Sequence, residues 1–169
     1  MKITSAKAAK LLRQLNDELT ALKQNESKTS SFLASISEDE EKVRPEYDYT
    51  LMQEKQISLE TKIRKLKHAL NVFNTTQIIP EYGFTIDEML VYLPQLTKRC
   101  SKLSIMKDAL PKVREDTAYM HGVSIIDYRY ANYDINQVNT DYQKFSDELA
   151  KAQMALDLVN NTVEFEIDM

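Results

Sequence analysis

Apolar residues recur at alternating spacings of three and four positions in four long stretches of this chain. That spacing places a narrow apolar stripe along an α-helix, and helices bury such stripes against one another. Only two glycines and four prolines are present, so few tight turns interrupt the helices. The sequence therefore predicts a mainly α fold, a long antiparallel helical hairpin or bundle of about four helices with coiled-coil-like seams. The stripes consist of Ala8, Leu12, Leu15, Leu19, Leu22, Leu33 and Ile36; Met52, Leu59, Ile63, Leu66, Leu70 and Phe73; Met89, Leu93, Leu96, Cys100, Leu103 and Leu110; and Ile135, Val138, Tyr142, Phe145, Leu149, Ala152, Leu156 and Val159.

The length fits a single domain, which we predict over 1–169. The helices are predicted at about 3–36, 49–75, 86–110 and 135–159, with a turn over 37–45. Thr85 and Glu88 have the spacing of a capping box, and Asp134 is placed to cap the last helix. Pro94 removes a backbone hydrogen bond inside the third helix, so we expect a kink near it or a break into two pieces.

Two segments have the composition of strands rather than helices. Residues 123–130 are rich in β-branched and aromatic side chains, and residues 163–167 alternate apolar and acidic side chains. The sequence predicts that these two segments pair as a small two-stranded β ribbon. Because a lone two-stranded ribbon is marginal in water, we expect it to pack on helices or on another subunit.

Charge and hydropathy restrict the classes of partner. The net charge is −4 and no basic block is present, so nucleic acid is not an expected partner. Since no apolar run of about 18 residues occurs, no membrane contact is expected either. The single cysteine, Cys100, lies on an apolar stripe, which is typical of a small buried side chain in a cytoplasmic protein.

The residues that usually carry chemistry do not form a recognisable set. Neither His68 nor His121 has a Glu three positions before it, as helical di-metal sites require. Glu38 and Glu41 have the spacing of one magnesium-binding pair but lack the second pair, so a solvated turn is the preferred interpretation. The sequence predicts no catalytic residues, no metal ligands and no cofactor, and an enzyme is the less favoured class.

Two polar groups remain as candidate interaction or ligand surfaces. The first is a polar helix end, where amides could bind a partner's backbone or where the side chains simply terminate the helix. The second group is a short segment rich in Tyr and Arg, residue types that are enriched at interface hot spots. The candidate residues are Asn71, Asn74 and Thr75 in the first group, and Tyr128, Arg129, Tyr130 and Tyr133 in the second.

A set of spaced residues carries a resemblance over nearly the whole chain. They are Leu70-Asn71, Asn74-Thr75, Gly83-x-Thr85-Ile86, Asp134-Ile135 and Asn161, following a long N-terminal helical hairpin. In this order the chain resembles a small bacterial family of unknown function, sometimes labelled "septicolysin". The resemblance implies a cytoplasmic, mostly helical protein without established catalytic residues. It marks Asn71, Asn74, Gly83, Thr85, Asp134 and Asn161 as structural positions.

Three functions are compared. The favoured hypothesis is a non-enzymatic helical interaction or scaffold protein that self-associates or binds another protein, because long seams bury efficiently only against long neighbours. The alternative is a small-ligand-binding protein or enzyme whose polar site forms between 71–77 and 128–133. A membrane-active protein, which the septicolysin label implies, is disfavoured because the sequence offers no long flexible strand for insertion.

Overall fold

The fold is mainly helical with small two-stranded sheets, as the sequence predicts. The computed structural model describes residues 1–115 and 127–168. The helices are α1 (Ser5–Thr29), α2 (Glu40–Val43), α3 (Tyr49–Thr76), α4 (Ile86–Lys107) and α5 (Ile135–Thr162). The strands are β1 (Lys2–Thr4), β2 (Ile78–Ile79), β3 (Phe84–Thr85), β4 (Lys112–Glu115), β5 (Asp127–Tyr130) and β6 (Glu164–Glu166).

Contacts within the chain divide it into two compact units. The first comprises Met1–Gln77 with Leu158–Met169, and the second comprises Ile78–Asp157. The boundary in the second half of the chain falls within α5. Each unit is described separately below.

The first unit is built on an antiparallel hairpin of α1 and α3. Lys23 of α1 pairs with Glu60 of α3 at 3.0 Å, and Glu26, further along α1, bonds to Gln53 and Gln56, which come earlier in α3, so the two helices run antiparallel. The seam residues predicted from the spacing form its core, since Leu15, Leu59 and Leu66 are buried. Other members of both stripes pack against them, namely Leu12, Leu19, Leu22, Ile63 and Leu70.

Helix α1 ends seven residues earlier than predicted, at Thr29 rather than Ile36. The spacing of three and four continues to Leu33 and Ile36, but both side chains are fully exposed, at 97% and 109%. Serines and threonines crowd this region, and their hydroxyls compete for backbone hydrogen bonds. The Thr29 hydroxyl indeed donates to the Asn25 carbonyl at 2.9 Å in the last turn.

The predicted turn over 37–45 contains the short helix α2, capped by Asp39. Arg44 is extended with ψ 121°, as expected for a residue that precedes proline. The remaining helix bounds follow the prediction closely, because α3 ends at Thr76 and α5 at Thr162.

Strands β5 and β6 form within the two segments predicted as strands, but their predicted pairing is wrong and strands β1–β4 were not predicted. Strand β6 pairs with β1 in antiparallel register, Ile3 opposite Phe165, so the chain's first residues are a strand and not helix. Strand β5 pairs with β4, Val113 opposite Arg129. Closing a short loop costs less entropy than closing a long one. Strand β4 is nearer to β5 in sequence than β6 is, so loop entropy favours β4 as the partner of β5. Residues 123–126 of the predicted strand lie outside the described residues.

In the second unit, strands β2 and β3 are joined by a turn, and β3 leads directly into α4. Gly83 has φ +67°, the left-handed region that glycine adopts without strain. The predicted capping box is present, with Thr85 and Glu88 each accepting a backbone N–H from the other. Helix α4 runs without a break through Pro94, so of the two predicted outcomes, a kink or a break into two pieces, the break is wrong. Pro94 is exposed, which lets water hydrate the carbonyl that it leaves unpaired.

Candidate interaction surfaces

The ribbon formed by β4 and β5, called the β4–β5 ribbon below, presents its side chains to solvent. Tyr128 is 44% exposed and Tyr130 is 61% exposed, and Val113 on the neighbouring strand is 41% exposed. Among the described residues, no third strand pairs with either edge of the ribbon. An open edge with exposed aromatic side chains is a surface that another chain can pair with.

The two faces of the ribbon differ in charge. Side chains alternate along strands, so Tyr128 and Tyr130 share one face with their cross-strand partners Arg114 and Lys112. The Lys112 ammonium lies 3.9 Å from the centre of the Tyr128 ring and 5.4 Å from that of Tyr130. This face is therefore aromatic and cationic.

The opposite face, which carries Val113, Glu115, Asp127 and Arg129, contains an ion pair. The Arg129 guanidinium donates to the Glu115 carboxylate across the strands. This hydrogen bond, together with the charge of Glu115, raises the pKa of Arg129 above its already high ordinary value. Of the predicted site residues, Arg129 pairs with Glu115 across the ribbon although its side chain is 76% exposed, and Tyr128 and Tyr130 are exposed as well.

Tyr133 has a different role from the ribbon tyrosines. Its hydroxyl donates to the carbonyl of Met106, in the last turn of α4, at 3.0 Å. Asp134, the next residue, caps α5 by accepting from the backbone N–H groups of Asn136 at 2.8 Å and Gln137 at 3.3 Å, as predicted. Tyr133 therefore fixes the chain between the ribbon and α5.

The predicted polar helix end lies in the last turn of α3. The Thr75 hydroxyl donates to the carbonyls of Asn71 and Val72, both at 3.0 Å, which is the hydrogen bonding of a helix terminus. Asn71 is exposed, and Asn74 is half-buried. The side-chain oxygens of Asn74 and Asn160 are buried and accept no hydrogen bond from the described residues.

The structure does not bring the two predicted groups into one described site. Asn71, Asn74 and Thr75 belong to the first compact unit, and the ribbon tyrosines belong to the second. A ligand site formed by both groups therefore stays a prediction.

Sequence reasoning missed an aromatic cluster in the second unit. The Phe84 and Tyr92 rings meet edge to face at 5.5 Å, and Tyr82 lies 6.0 Å from Phe84 and 6.4 Å from Tyr92. The Tyr92 hydroxyl donates to the Glu148 carboxylate at 3.3 Å. Burial first, and then the charge of Glu148, raise the pKa values of Tyr82 and Tyr92.

A pocket of about 320 Å³ opens beside this cluster. It follows one face of α4 and the residue before its cap, with a lining of Phe84, Asp87, Glu88, Val91, Tyr92 and Gln95. These positions mix acidic, apolar and amide side chains at helical spacing, so in the sequence they look like an ordinary half-exposed helix face. The nearest sequence signal is the aromatic pair that flanks Gly83.

Neither a metal-ligand cluster nor a membrane-crossing helix occurs in the described part of the chain. Within residues 1–115 and 127–168, His, Cys, Asp and Glu side chains form no group of three that could hold a metal ion. No helix among these residues combines the length and apolar character needed to cross a membrane.

The fold and surfaces define a mainly α protein with small two-stranded β sheets, one of which has exposed tyrosines. No family model and no curated protein matches the chain. Its fold is similar to the crystal structure of a functionally unknown conserved protein from Corynebacterium diphtheriae, with a TM-score of 0.60 and 15% identity. The match covers 98% of this chain and 100% of that chain. At this identity the likeness shows the fold alone.

Proposed function

We propose that this protein is a non-enzymatic helical interaction protein that self-associates through the β4–β5 ribbon. The observation that carries the proposal is the exposed aromatic and cationic face of the ribbon, on which Tyr128 and Tyr130 lie beside Lys112. Tyrosine is among the residue types that contribute most to binding at protein interfaces, since it buries a large area with few rotatable bonds.

The weak stability of an isolated ribbon supports the same proposal. A two-stranded sheet is marginal in water unless it packs on another element. Every residue of β5 is exposed, so the described residues cover little of this strand. Pairing or packing with the ribbon of a second copy supplies that cover and closes an open edge.

The cellular setting belongs to the same proposal. We place the protein in the cytoplasm, because its lone cysteine, Cys100, is free and half-buried, as in proteins that keep their thiols reduced. The mildly acidic chain favours a protein partner over nucleic acid.

Analytical ultracentrifugation over a wide range of protein concentration tests self-association. We expect wild type to form a concentration-dependent dimer or larger oligomer, and Tyr128→Ala/Tyr130→Ala to associate at least about tenfold more weakly. Tyr49→Ala is the matched control, because Tyr49 is 65% exposed on α3 and should leave association unchanged. A strict monomer at the highest concentration, or equal association of wild type and double variant, contradicts the proposal.

A further inference from the structure

We propose that the pocket beside Phe84 and Tyr92 binds a cationic side chain, arginine or lysine, presented by a partner polypeptide. The pocket uses none of the ribbon residues, so this inference is independent of self-association. Its volume of about 320 Å³ lies at the lower end of the range for ligand sites and suits one long side chain.

The aromatic walls are the first part of the argument. Phe84 and Tyr92 stand at 78° to each other, and Tyr82 packs against both rings. A cation is attracted to the negative face of an aromatic ring, and several rings held at fixed angles form a preorganised site for one. Tyr82 and the Tyr92–Glu148 hydrogen bond hold this arrangement in place.

The charge of the pocket lining is complementary to a cation. Asp87 and Glu88 are the only charged residues in the lining, and both are acidic. No residue in the described part of the chain forms an ion pair with Asp87. Hydrogen bonds from the backbone and hydroxyl of Thr85 lower the pKa of Glu88, so its carboxylate is ionised at neutral pH.

A second depression has a different charge pattern. A groove of about 510 Å³ along the α1–α3 hairpin is lined by Glu18 and Glu54 but also by Lys55 and Lys62. Acids and bases compensate there, so that groove does not select for a cation. The lining of the pocket beside Phe84 contains no basic side chain, and because Glu88 also accepts two hydrogen bonds from Thr85, Asp87 is its more available carboxylate.

A polypeptide source is favoured by the apolar part of the lining. Val91 is 58% exposed within the pocket and offers a contact for an apolar neighbour of the cationic residue. A free amine would leave this surface uncovered. The partner segment should therefore combine an arginine or lysine with an adjacent apolar side chain.

The test compares a charged probe with its neutral counterpart. N-acetyl-arginine N-methylamide and its citrulline analogue, which has nearly the same shape without the charge, are titrated into the full chain and followed by ¹H–¹⁵N NMR. We expect the arginine probe to shift the backbone signals of Asp87, Glu88, Val91 and Gln95, with the citrulline probe about tenfold weaker. The preference should diminish as salt is added. Equal shifts with both probes, or shifts spread away from the pocket, overturn the proposal.

Two variants and a peptide complete the test. Asp87→Asn should weaken arginine binding severalfold, and Asp147→Asn, the same charge change at an exposed position of α5, should not. Ac-Leu-Arg-Leu-NH₂ should bind more tightly than propylguanidinium, which carries the same single charge without the peptide. Equal binding of wild type and Asp87→Asn overturns the site, and equal binding of peptide and propylguanidinium overturns the polypeptide source.

Discussion

Glu26 shows how a single carboxylate stabilises one end of the α1–α3 hairpin. Its oxygens accept hydrogen bonds from Tyr47 at 2.9 Å, Gln53 at 2.7 Å and Gln56 at 2.6 Å. The bonds from Gln56 and Tyr47 are the main causes that lower the pKa of Glu26 below its ordinary value of 4.5. Because an ionised carboxylate accepts these bonds better than a protonated one, the hairpin should depend on the charge of Glu26.

The lowered pKa of Glu26 predicts a pH-dependent stability difference. A carboxyl whose pKa is lower in the folded state contributes stability above its unfolded value, and this contribution is lost as pH falls through the folded value. Glu26→Gln should therefore be less stable than wild type at pH 7, and the difference should shrink below pH 4.5. Urea unfolding at pH 7 and at a pH below 4.5 measures the free energy of unfolding of wild type and variant, with Glu18→Gln on the same helix as the control. A difference that stays constant across this range is incompatible with the assigned role.

Gly83 predicts a second residue-level effect. Its φ of +67° is costly for residues with a Cβ, and no heavy atom lies within 4 Å of where a Cβ would be. Gly83→Ala should therefore lower the free energy of unfolding by about 1–2 kcal/mol through backbone strain alone. Gly83→Asn should lower it less, since Asn tolerates this conformation better. Denaturant unfolding measures both variants, and a neutral Gly83→Ala would show that the turn is not strained.

At the scale of elements, the seam between α1 and α3 provides most of the apolar burial in the first unit. Leu66 has no exposed surface, whereas Ile57 on the same helix is 61% exposed. Leu66→Ala should destabilise the protein by about 2–5 kcal/mol, because it leaves a cavity in the core. The free energy of unfolding of Ile57→Ala should stay within about 0.5 kcal/mol of the wild-type value. Thermal or urea unfolding compares the two, and similar losses would mean that the seam is not the core.

The seams could be predicted from the sequence because helical spacing is a local signal repeated over many turns. The end of α1 could not, since Leu33 and Ile36 keep the spacing although they are exposed. The pairing of the strands could not be predicted from the sequence either, because strands of three or four residues can pair in several registers. Their partners depend on where the helices bring the chain ends, as with Ile3 and Phe165.

The candidate surfaces were predictable to different degrees. Composition alone identified Tyr128 and Tyr130, because clustered aromatic residues next to a strand signature are an unusual local pattern. The pocket at Phe84 and Tyr92 was missed, since it depends on how a turn and a helix face come together. Tyr133, assigned to the same surface as the ribbon tyrosines, instead bonds to the carbonyl of Met106.

At the scale of the whole molecule, the chain combines packed helical seams with one poorly covered ribbon. Members of the apolar stripes are buried, as Leu66 and Met89 illustrate, so these residues leave little apolar surface for a second copy. Self-association is instead expected from the β4–β5 ribbon, where exposed tyrosines lie and where no third strand pairs among the described residues.

Site-specific photo-crosslinking tests this central claim most directly. A benzophenone amino acid replaces Tyr130 in one sample and Tyr49 in another, and each purified protein is irradiated at a concentration where wild type associates. We predict a covalent dimer from position 130, with mass spectrometry locating the crosslink on β4 or β5 of the second copy, and no dimer from position 49. Absence of a dimer at position 130, or equal crosslinking from both positions, would contradict self-association through the ribbon.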